Sequence, residues 1–567
     1  MKIIRNNIIA LAALIVVNTG CSGFLDQDNR SNTSQTSFYS TEDGFTSLVT
    51  SAYSTLRTIY GSDPWLFSAG TDLYASGRNT VDDIGLLGSG YNNSLASVNT
   101  FYKNCYKAIS LCNDVVYYGN KLSDFDKKNQ YVDEARFLRA YYDFLLVENF
   151  GDVVLFKERQ TSGSTFFTRS SEADVYKYII SELTELAGSD SNLPDKHATS
   201  GTEFYRIDKR TVNHYLAKVY LTRAYESCAE STDFANAKAA ADKVISASNT
   251  LNSQTFSKVF DINNQQNDEV IFSCEYSKNS ESDPSTDGNK QQAEFGTYLN
   301  GQEDGHKYTT STLTPTLRMH QLFSKDDDRY EATFMTTLYN HYFDYYNKTA
   351  AELTNDKVYA YYPPEWACAD TTAWRNASKS RTDTKIIPMT ESGFNVQGKV
   401  TAYESKMTED VYGVSCFRKF DDPTTDINNG GNFSVNCSAH DIFLARVAED
   451  YLIAAEASIK LGNTSDALNY INNVRERANA ADASESDLTI DYILDERARE
   501  LAGEYHRWED LKRTGKLMEY TIKYNPDIRN NGGAKLYDGN DGENKILRPI
   551  PLAAMELNGG LTQNPGY

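Results

Sequence analysis

The residues that first suggest chemistry are acids and bases spaced closely in one charged segment, residues 493–515. Its charged members include Glu496, Arg497, Glu500, Arg507, Asp510 and Arg513. Two carboxyls on one helix can serve as a general acid and a general base. In this segment, however, arginines recur at short helical spacing from the acids, and a neighbouring guanidinium keeps a carboxyl ionised. The segment therefore predicts a salt-bridge network on a packed helix.

The histidines and the common catalytic motifs give no sign of an enzyme. The histidines are His197, His214, His306, His320, His341, His440 and His506. They form neither HExxH nor HxH, and the chain contains no GxSxG and no phosphate-binding loop. His214 lies in an apolar helical pattern and is interpreted as a core residue. A glycosidase remains open, because its two carboxyls need only be close in space.

One acidic segment offers hard oxygen ligands of the kind that Ca²⁺ prefers. Asp538, Asn540, Asp541 and Glu543 lie there among glycines. Their spacing fits no EF-hand loop, and Gly combined with Asp or Asn is typical of turns. We therefore predict an exposed turn, and we expect neither a metal nor another cofactor.

Aromatic residues in non-periodic stretches are the candidates for ligand binding. Flat rings stack on the C–H faces of sugars, and planar polar side chains hydrogen-bond to the hydroxyls. The candidates are Trp65, Tyr74, Arg78, Tyr91 and Asn92 in an early stretch, and Tyr298, Asn300, Tyr361, Tyr362, Trp366 and Trp374 in a later one. The alternative for each ring is burial, since large aromatics are mostly buried. Trp508, inside the charged segment, is assigned to packing.

The N-terminus is typical of a bacterial lipoprotein. Lys2 and Arg5 precede an apolar run at residues 8–17, which is shorter than the roughly 20 residues of a transmembrane helix. Residues 1–20 are therefore predicted to be a signal peptide. Gly20 directly before Cys21 resembles a lipobox, in which Cys21 would carry lipid. The alternative is an ordinary signal peptide that leaves a free thiol at Cys21.

Composition excludes some classes of partner and of fold. The net charge is −22, and nucleic acid needs a basic face, so nucleic acid is not expected to bind. The chain has 8 cysteines including Cys21 and no CxxC pair. An odd number remains after lipidation, which argues against a disulfide framework. Cys105 and Cys112 are interpreted as buried thiols.

Helical periodicity indicates the elements that position these residues. Residues 134–152 form an amphipathic pattern that Asn149 and Gly151 end. A second helix follows Asp208 as its N-cap and has a partner at residues 234–245.

The same pairing recurs at residues 450–461 and 464–478, and it exposes a weak internal repeat. The spacing of small and apolar residues is shared between Ala237, Ala241, Val244 and Ala467, Ile471, Val474. Such spacing is typical of tetratricopeptide-like helix pairs. We predict a mainly α fold in which these pairs form a scaffold, with few short strands and a long irregular, loop-rich insertion at about residues 246–440. Residues 21–245 and 246–567 are expected to pack as one globular unit.

Four segments, in order along the chain, together resemble the SusD/RagB family of surface lipoproteins. They are EARFLRAYYDFLLVENFGD at 134–152, AKVYLTRAY at 217–225, AEDYLIAAEA at 448–457 with ILDERARELAGEYHRWEDLKRTG at 493–515, and PIPLAAMELNGGLTQNPGY at 549–567. The resemblance implies a lipid-anchored protein at the cell surface of the outer membrane, partnered by a SusC-like TonB-dependent transporter. It also implies import of oligosaccharides in most members and of peptides in some. The matched motifs belong to the scaffold and assign no ligand residues.

The resulting expectation is a lipoprotein that binds an oligosaccharide nutrient, delivers it to the transporter and catalyses nothing. The alternatives are a peptide-binding relative, a surface glycosidase and a transporter lid without a ligand. An arc of exposed rings favours glycan, whereas a groove of backbone hydrogen-bonding groups favours peptide. Two carboxyls about 5–10 Å apart in a cleft favour the enzyme.

Overall fold

Helices dominate the part of the chain that the computed structural model describes, which is residues 35–61, 65–77, 83–161, 163–198, 200–201, 203–276, 288–296, 311–339, 349–353, 355–391, 415–422 and 438–567. The helices up to residue 259 are α1 (Gln35–Tyr39), α2 (Glu42–Tyr60), α3 (Trp65–Ser68), α4 (Asp83–Leu86), α5 (Ala96–Gly119), α6 (Lys128–Phe150), α7 (Glu172–Leu186), α8 (Lys209–Arg223), α9 (Asp233–Ala247) and α10 (Phe256–Val259).

The later helices begin at residue 291 and include both short and long elements. They are α11 (Gln291–Phe295), α12 (Leu317–Gln321), α13 (Arg329–Thr333), α14 (Ala350–Leu353), α15 (Thr371–Asn376), α16 (Val447–Lys460), α17 (Thr464–Arg477), α18 (Ile490–Glu500), α19 (Arg507–Arg513), α20 (Leu517–Tyr524), α21 (Pro526–Asn531) and α22 (Leu552–Leu557). Short 3₁₀ turns lie at Leu251–Ser253, Ile262–Asn264, Glu365–Asp370, Lys379–Arg381, Glu485–Asp487 and Gly533–Leu536.

The strands are short and pair across long stretches of sequence. They are β1 (Tyr74–Ser76), β2 (Val270–Cys274), β3 (Leu313–Pro315), β4 (Thr337–Tyr339), β5 (Val358–Tyr361), β6 (Lys385–Ile386) and β7 (Ile442–Arg446). β1 pairs with β3 and β2 with β7, both antiparallel, and β4-β5-β6 form a three-stranded sheet. The β2–β7 pair therefore joins the two ends of the predicted insertion.

Local capping explains where the scaffold helices begin and end. The Asp208 carboxylate accepts a hydrogen bond from the Thr211 N–H at 2.7 Å, which caps the N-terminus of α8. Helix α6 ends at Gly151, whose φ of 66° is a left-handed conformation that glycine adopts without strain. The mainly helical fold that the periodicity predicts is confirmed.

Helix hairpins form the scaffold, as the internal repeat predicts. α5 packs on α6, α8 on α9 and α16 on α17, and α9 also packs on α16. The repeat residues Ala237, Ala241, Ala467 and Ile471 are completely buried. Small side chains at these positions let the helices approach closely. One apolar core runs from Phe45 to Ile550, while the division of the chain at residue 246 stays a prediction.

The charged segment at residues 493–515 is two helices rather than the single helix that the sequence suggested. α18 ends at Glu500 and α19 begins at Arg507. Between them Gly503 has φ 75° and Tyr505 has φ 68°. A Cβ at Gly503 would overlap the ring of Phe420. The close approach of Phe420 to Gly503 accounts for the break between the helices. Sequence periodicity gives no sign of such a contact.

The predicted salt-bridge network is present and fully buried. Arg329, Arg446 and Arg477 each bond to the Glu500 carboxylate. Burial alone raises the pKa of Glu500, but the three guanidinium groups outweigh it and hold the pKa at about 2. Asp510 has a pKa of about 2, because Arg497 and Arg513 likewise outweigh burial. These acids stay ionised, which suits a structural role and not proton transfer.

His214 is a core residue, as predicted, and it is charged. Its Nδ1 lies 2.9 Å from Asp450 Oδ2 and its Nε2 lies 3.3 Å from Glu449 Oε2. Burial lowers the pKa of His214, but the two carboxylates outweigh burial and raise the pKa to about 9.

Cys105 and Cys112 are buried thiols. Within the described residues, no helix combines the length and the apolar character that crossing a bilayer requires.

Candidate ligand-binding face

The short helix α11 is the point where several distant segments of the chain meet. The Lys290 N–H, directly before α11, donates to the Gly61 carbonyl at 2.9 Å. Asn289 and Ser438 exchange backbone hydrogen bonds of 2.9 and 2.8 Å. At the other end of α11, the Gly296 carbonyl accepts a hydrogen bond from the Ser311 hydroxyl. Described segments that are far apart in sequence therefore meet at α11.

The end of β1 lies at the same junction. The Gly77 N–H donates to the Thr312 carbonyl at 2.8 Å, and the Ser311 N–H donates to the Ala293 carbonyl at 3.0 Å. A Cβ at Gly77 would overlap the Ser311 carbonyl oxygen, so glycine permits this approach. We call this junction the loop face, and Gly61, Gly296, Ser311 and Ser438 within it are buried. It is defined by Gly61, Gly77, Lys290, Gly296, Ser311 and Ser438.

Three candidate ligand residues lie outside the described residues. Arg78 follows Gly77 directly, and Tyr298 and Asn300 follow Gly296. The hydrogen bonds of Gly77 and Gly296 bring the starting points of these two segments together. Cys21, the predicted lipidation site, also lies outside the described residues.

The strongest exposed candidate is a pair of stacked rings, Tyr361 and Trp374. Their centroids are 4.0 Å apart and their planes differ by 6°. The Arg381 guanidinium lies 4.4 Å from the Trp374 ring centroid, and its Nη1 donates to the Trp374 carbonyl at 3.0 Å. Both rings are only partly buried. Because Tyr361 and the Arg381 guanidinium both lie over the Trp374 ring, this ring offers a sugar its exposed edge rather than an open face.

The sheet that carries this stack is attached to α11. The Tyr362 N–H donates to the Thr336 carbonyl at 2.8 Å, and the Met335 N–H donates to the Cys416 carbonyl at 2.9 Å. The Phe417 N–H in turn donates to the Phe295 carbonyl, the last residue of α11, at 3.1 Å. The stacked pair therefore belongs to the same supporting structure as the loop face.

A ladder of six rings connects Trp366 to α11. Successive centroids are 5.0, 4.9, 5.7, 5.2 and 5.4 Å apart along Trp366, Tyr330, Phe334, Phe417, Phe295 and Tyr74. Most of these rings are buried. These rings therefore build the core beneath the loop face rather than a ligand site.

The structure corrects three of the candidate residues. Tyr74, Tyr91 and Tyr362 are only 2%, 3% and 0% exposed. The Tyr74 hydroxyl accepts a hydrogen bond from the Gly503 N–H at 2.6 Å, and the Tyr91 ring packs on Tyr567. These rings have no exposed face on which a sugar could stack. Tyrosine suits both ligand stacking and core packing, and at these three positions it packs in the core.

The other described candidates are intermediate cases. Trp65 and Trp366 are half-buried, and Trp65 Nε1 has no hydrogen-bond acceptor among the described residues. Asn92 is exposed, but its side chain closes a turn by donating to the Ser89 carbonyl and accepting from the Ser94 N–H. Trp508 is 5% exposed beneath the Arg548 guanidinium, which confirms its assignment to packing.

Sequence reasoning missed Arg381 as a partner of Trp374. The two residues are seven positions apart, but a helix end and a 3₁₀ turn separate them, so no regular period marks the contact.

The described residues show no cluster of metal ligands. Within the described ranges no group of three or more His, Cys, Asp or Glu side chains is placed to hold an ion. The acidic segment forms a turn in which Asp541 accepts from the Glu543 and Gly566 N–H groups.

Comparison with known proteins finds relatives over most of the chain. SusD-like protein P2 of Formosa agariphila is 26% identical over 492 residues, covering 83% of this chain and 81% of its own. A SusD homolog of Bacteroides thetaiotaomicron superposes with a TM-score of 0.70 at 18% identity, over 95% of this chain and 99% of its own. Surface glycan-binding protein A of Bacteroides fluxus superposes with a TM-score of 0.65 at 19% identity, over 93% of this chain and 100% of its own. The two solved structures establish the fold.

Family models match both parts of the chain. The model described as "Starch-binding associating with outer membrane" matches residues 23–221. The model described as "SusD family" matches residues 268–567. The second match alone covers more than half of the 567 residues, and therefore the chain belongs to the SusD family.

Proposed function

We propose that this protein binds a glycan nutrient on the loop face and delivers it to a SusC-like TonB-dependent transporter. In this proposal the protein is held at the cell surface of the outer membrane by lipid on Cys21, and it catalyses no reaction. The observation that carries the proposal is the partly exposed Tyr361–Trp374 stack with the Arg381 guanidinium over Trp374, on a sheet attached to α11.

The chemistry of this group favours a sugar over a peptide. The exposed parts of the stacked rings offer apolar surface to the C–H groups of a pyranose, and the guanidinium offers N–H donors to hydroxyl oxygens. A peptide is recognised chiefly through its backbone, for which an unpaired strand edge is the usual partner. β5, which carries Tyr361, is already paired on both sides by β4 and β6. A peptide therefore remains the second candidate.

The location and the transporter partner rest on family membership. One matching family model is described as associating with the outer membrane, and the sequence around Gly20 and Cys21 resembles a lipobox. Fractionation of cells would test the anchor, and isolation of the protein from membranes in gentle detergent would test the transporter. We expect a much larger β-barrel protein to co-purify. Recovery of a monomer from every preparation would contradict the partnership.

The buried charges support a binding role. The acids of α18 and α19 are ionised and enclosed by arginines, so they are unsuited to protonate a leaving group. Burial and the charge of Asp441 raise the pKa of Glu275, but Asp441 is only 1% exposed. Its two oxygens accept from the Tyr205 hydroxyl and the Tyr276 N–H. Of these two described carboxyls, Glu275 alone is accessible to a ligand, whereas a glycosidase needs two such carboxyls.

A polysaccharide panel tests the proposal. Affinity electrophoresis in gels containing starch, laminarin, xylan or pectin would compare the wild-type protein with Trp374→Ala. We expect at least one polysaccharide to retard the wild type and to retard Trp374→Ala much less. Phe166→Ala is the matched control, because Phe166 is a 65% exposed ring outside the loop face. Equal retardation of all three proteins, or binding of peptides alone, would contradict the proposal.

A further inference from the structure

Helix α22 is apolar in composition, yet none of its residues is buried. Its sequence, LAAMEL, contains Glu556 as the single polar residue. A helix that is apolar all round is normally enclosed by protein or by lipid. Leu552 and Leu557 are instead 40% and 77% exposed. The helix therefore lacks the cover that its composition predicts.

A third exposed apolar side chain is held beside the end of α22. The Asn558 side chain donates to the Phe167 carbonyl at 2.9 Å and accepts from the Phe167 N–H at 2.8 Å. A Cβ at Gly560 would overlap the Phe167 backbone, so glycine permits this contact. The neighbouring ring, Phe166, lies against Gly559 and is 65% exposed. Direct backbone contacts therefore fix Phe166 next to α22.

We call Phe166, Leu552 and Leu557 the α22 patch. Among the described residues five large apolar side chains are exposed, and the other two, Phe38 and Leu461, lie on α1 and between α16 and α17. Single exposed apolar side chains are ordinary, whereas a cluster of them marks a surface that another molecule covers.

Charged side chains are almost absent from the two segments that form the patch. Residues 160–168 contain none, and residues 549–567 contain only Glu556, although 24% of the whole chain is charged. Depletion of charge together with exposed Phe, Leu and Met is typical of the core of a protein–protein interface. The α22 patch therefore fits an uncharged, apolar surface on another protein.

Charge argues against a lipid surface and against a second copy of this chain. Helices that lie on a membrane carry Lys and Arg on the polar face, whereas the charged residue of α22 is Glu556. Two copies would each bring a net charge of −22 to the contact, and like charges of this size oppose association. A different protein is the better match.

The α22 patch lies at the same end of the molecule as the loop face. The Leu552 N–H donates to the Asn93 carbonyl at 2.8 Å, shortly before α5 begins. α5 packs along α2, and Asn104 Nδ2 donates to the Thr58 carbonyl at 3.3 Å. Because α2 ends just before Gly61 of the loop face, a protein on the patch would be close to a ligand held there.

The described chain starts at the other end of α5. The Tyr39 ring contacts Tyr118, near the last residue of α5, with centroids 5.5 Å apart. α5 is about 36 Å long at the usual helical rise, and an extended tether of residues 21–34 reaches at most about 48 Å. A protein anchored through Cys21 can therefore bring the patch to a partner in the membrane.

We propose that the α22 patch is the surface on which the transporter docks, through an uncharged apolar surface of the transporter. The existence of this partner rests on the proposed function. The choice of surface rests on the exposure, the backbone contacts and the lack of charge at α22.

Immunoprecipitation from gently solubilised membranes tests the surface in the native cells, with each full-length, lipid-anchored variant produced in place of the wild type. The patch variants are Leu557→Glu and Phe166→Glu, because a new carboxylate would have to be desolvated in an uncharged interface. Leu461→Glu is the matched control, since Leu461 is a 47% exposed leucine at the turn between α16 and α17.

We expect each patch variant to lower the recovery of the transporter at least about fivefold, and Leu461→Glu to leave it unchanged. Melting temperature and retardation by polysaccharide should match the wild type in all three variants, because the substituted side chains are exposed and lie outside the loop face. Recovery of the transporter with the wild type tests the partnership separately from the surface.

Undiminished recovery with both patch variants would overturn the proposal while leaving the partnership intact. An equal loss with Leu461→Glu would overturn it as well, because the effect would then be one of added charge alone. Early melting of both patch variants would show that the patch packs within the chain. A wild-type dimer in sedimentation velocity that Leu557→Glu dissociates would assign the patch to a second copy. If the wild type recovers no transporter, the partnership fails and the docking surface fails with it.

Discussion

Replacing Glu500 with glutamine removes one carboxylate from the middle of the buried salt-bridge network. Glu500 bonds to Arg329 and Arg446 at 3.1 Å each, and to Arg477 more closely still. All four side chains are buried. Glutamine has nearly the same shape, so the variant isolates the loss of charge from the loss of packing. The guanidinium groups would stay buried but would lose part of the negative charge that balances theirs.

The structure gives the expected size of the effect. The pKa of Glu500 falls from an ordinary value of 4.5 to about 2, and each pKa unit corresponds to about 1.4 kcal/mol. The charged form therefore contributes about 3 kcal/mol to the free energy of unfolding. This agrees with the ~3–5 kcal/mol that breaking a buried ion pair costs. Because the folded pKa is lowered, this stabilisation is complete above about pH 4.5 and is lost as the pH falls through 2.

Urea denaturation at pH 7 measures the change directly. We expect Glu500→Gln to lower the free energy of unfolding by about 3 kcal/mol, and the acid-induced loss of stability to be shallower in the variant. Glu476→Gln is the matched control, because Glu476 is exposed and lies on the neighbouring helix α17. It should change stability by less than about 0.5 kcal/mol. An equally small effect of Glu500→Gln would refute the structural role assigned to the network.

Three further predictions concern separate parts of the molecule. Trp508→Ala should lower the free energy of unfolding by about 3–5 kcal/mol in urea denaturation without changing glycan affinity, because the ring is buried under Arg548; a fully stable variant would contradict this. The raised pKa of His214, about 9, means that its stabilisation is complete below pH 6.5 and lost as the pH rises through 9. Wild-type stability should therefore fall across that range, and that fall should be absent in His214→Gln. Cys21→Ala should give a folded protein that no longer fractionates with membranes, and membrane attachment that survives a salt wash would count against the lipid anchor.

Much of the scaffold could be predicted from the sequence because helical packing leaves a periodic record. The helical periodicity after Asp208 reflects the buried face of that helix, and so does the spacing of Ala237 and Ala241 in its partner. The break at Gly503 could not be predicted in this way. It depends on the approach of Phe420, a residue more than eighty positions away, and no local pattern encodes that contact.

The candidate site was harder to predict, because residue type alone does not separate core rings from exposed ones. Tyr361 and Tyr362 are adjacent, yet one stacks on Trp374 at the surface and the other is fully buried. Burial alternates along β5, and Tyr362, the residue directly after the strand, continues that alternation, since successive side chains of extended backbone point to opposite faces. Which face is buried depends on the pairing of β5 with β4 and β6. That pairing brings together segments that the sequence separates.

Calorimetric titration of an oligosaccharide into the wild type and Trp374→Ala tests the central claim most directly. The oligosaccharide would be prepared from whichever polysaccharide retards the wild type in gels. Aromatic anchors typically dominate the energetics of binding, so we expect Trp374→Ala to weaken affinity at least tenfold, which is about 1.4 kcal/mol. Its melting temperature should stay near that of the wild type, because the ring is partly exposed. Unchanged affinity in a folded Trp374→Ala protein would contradict glycan binding at this stack.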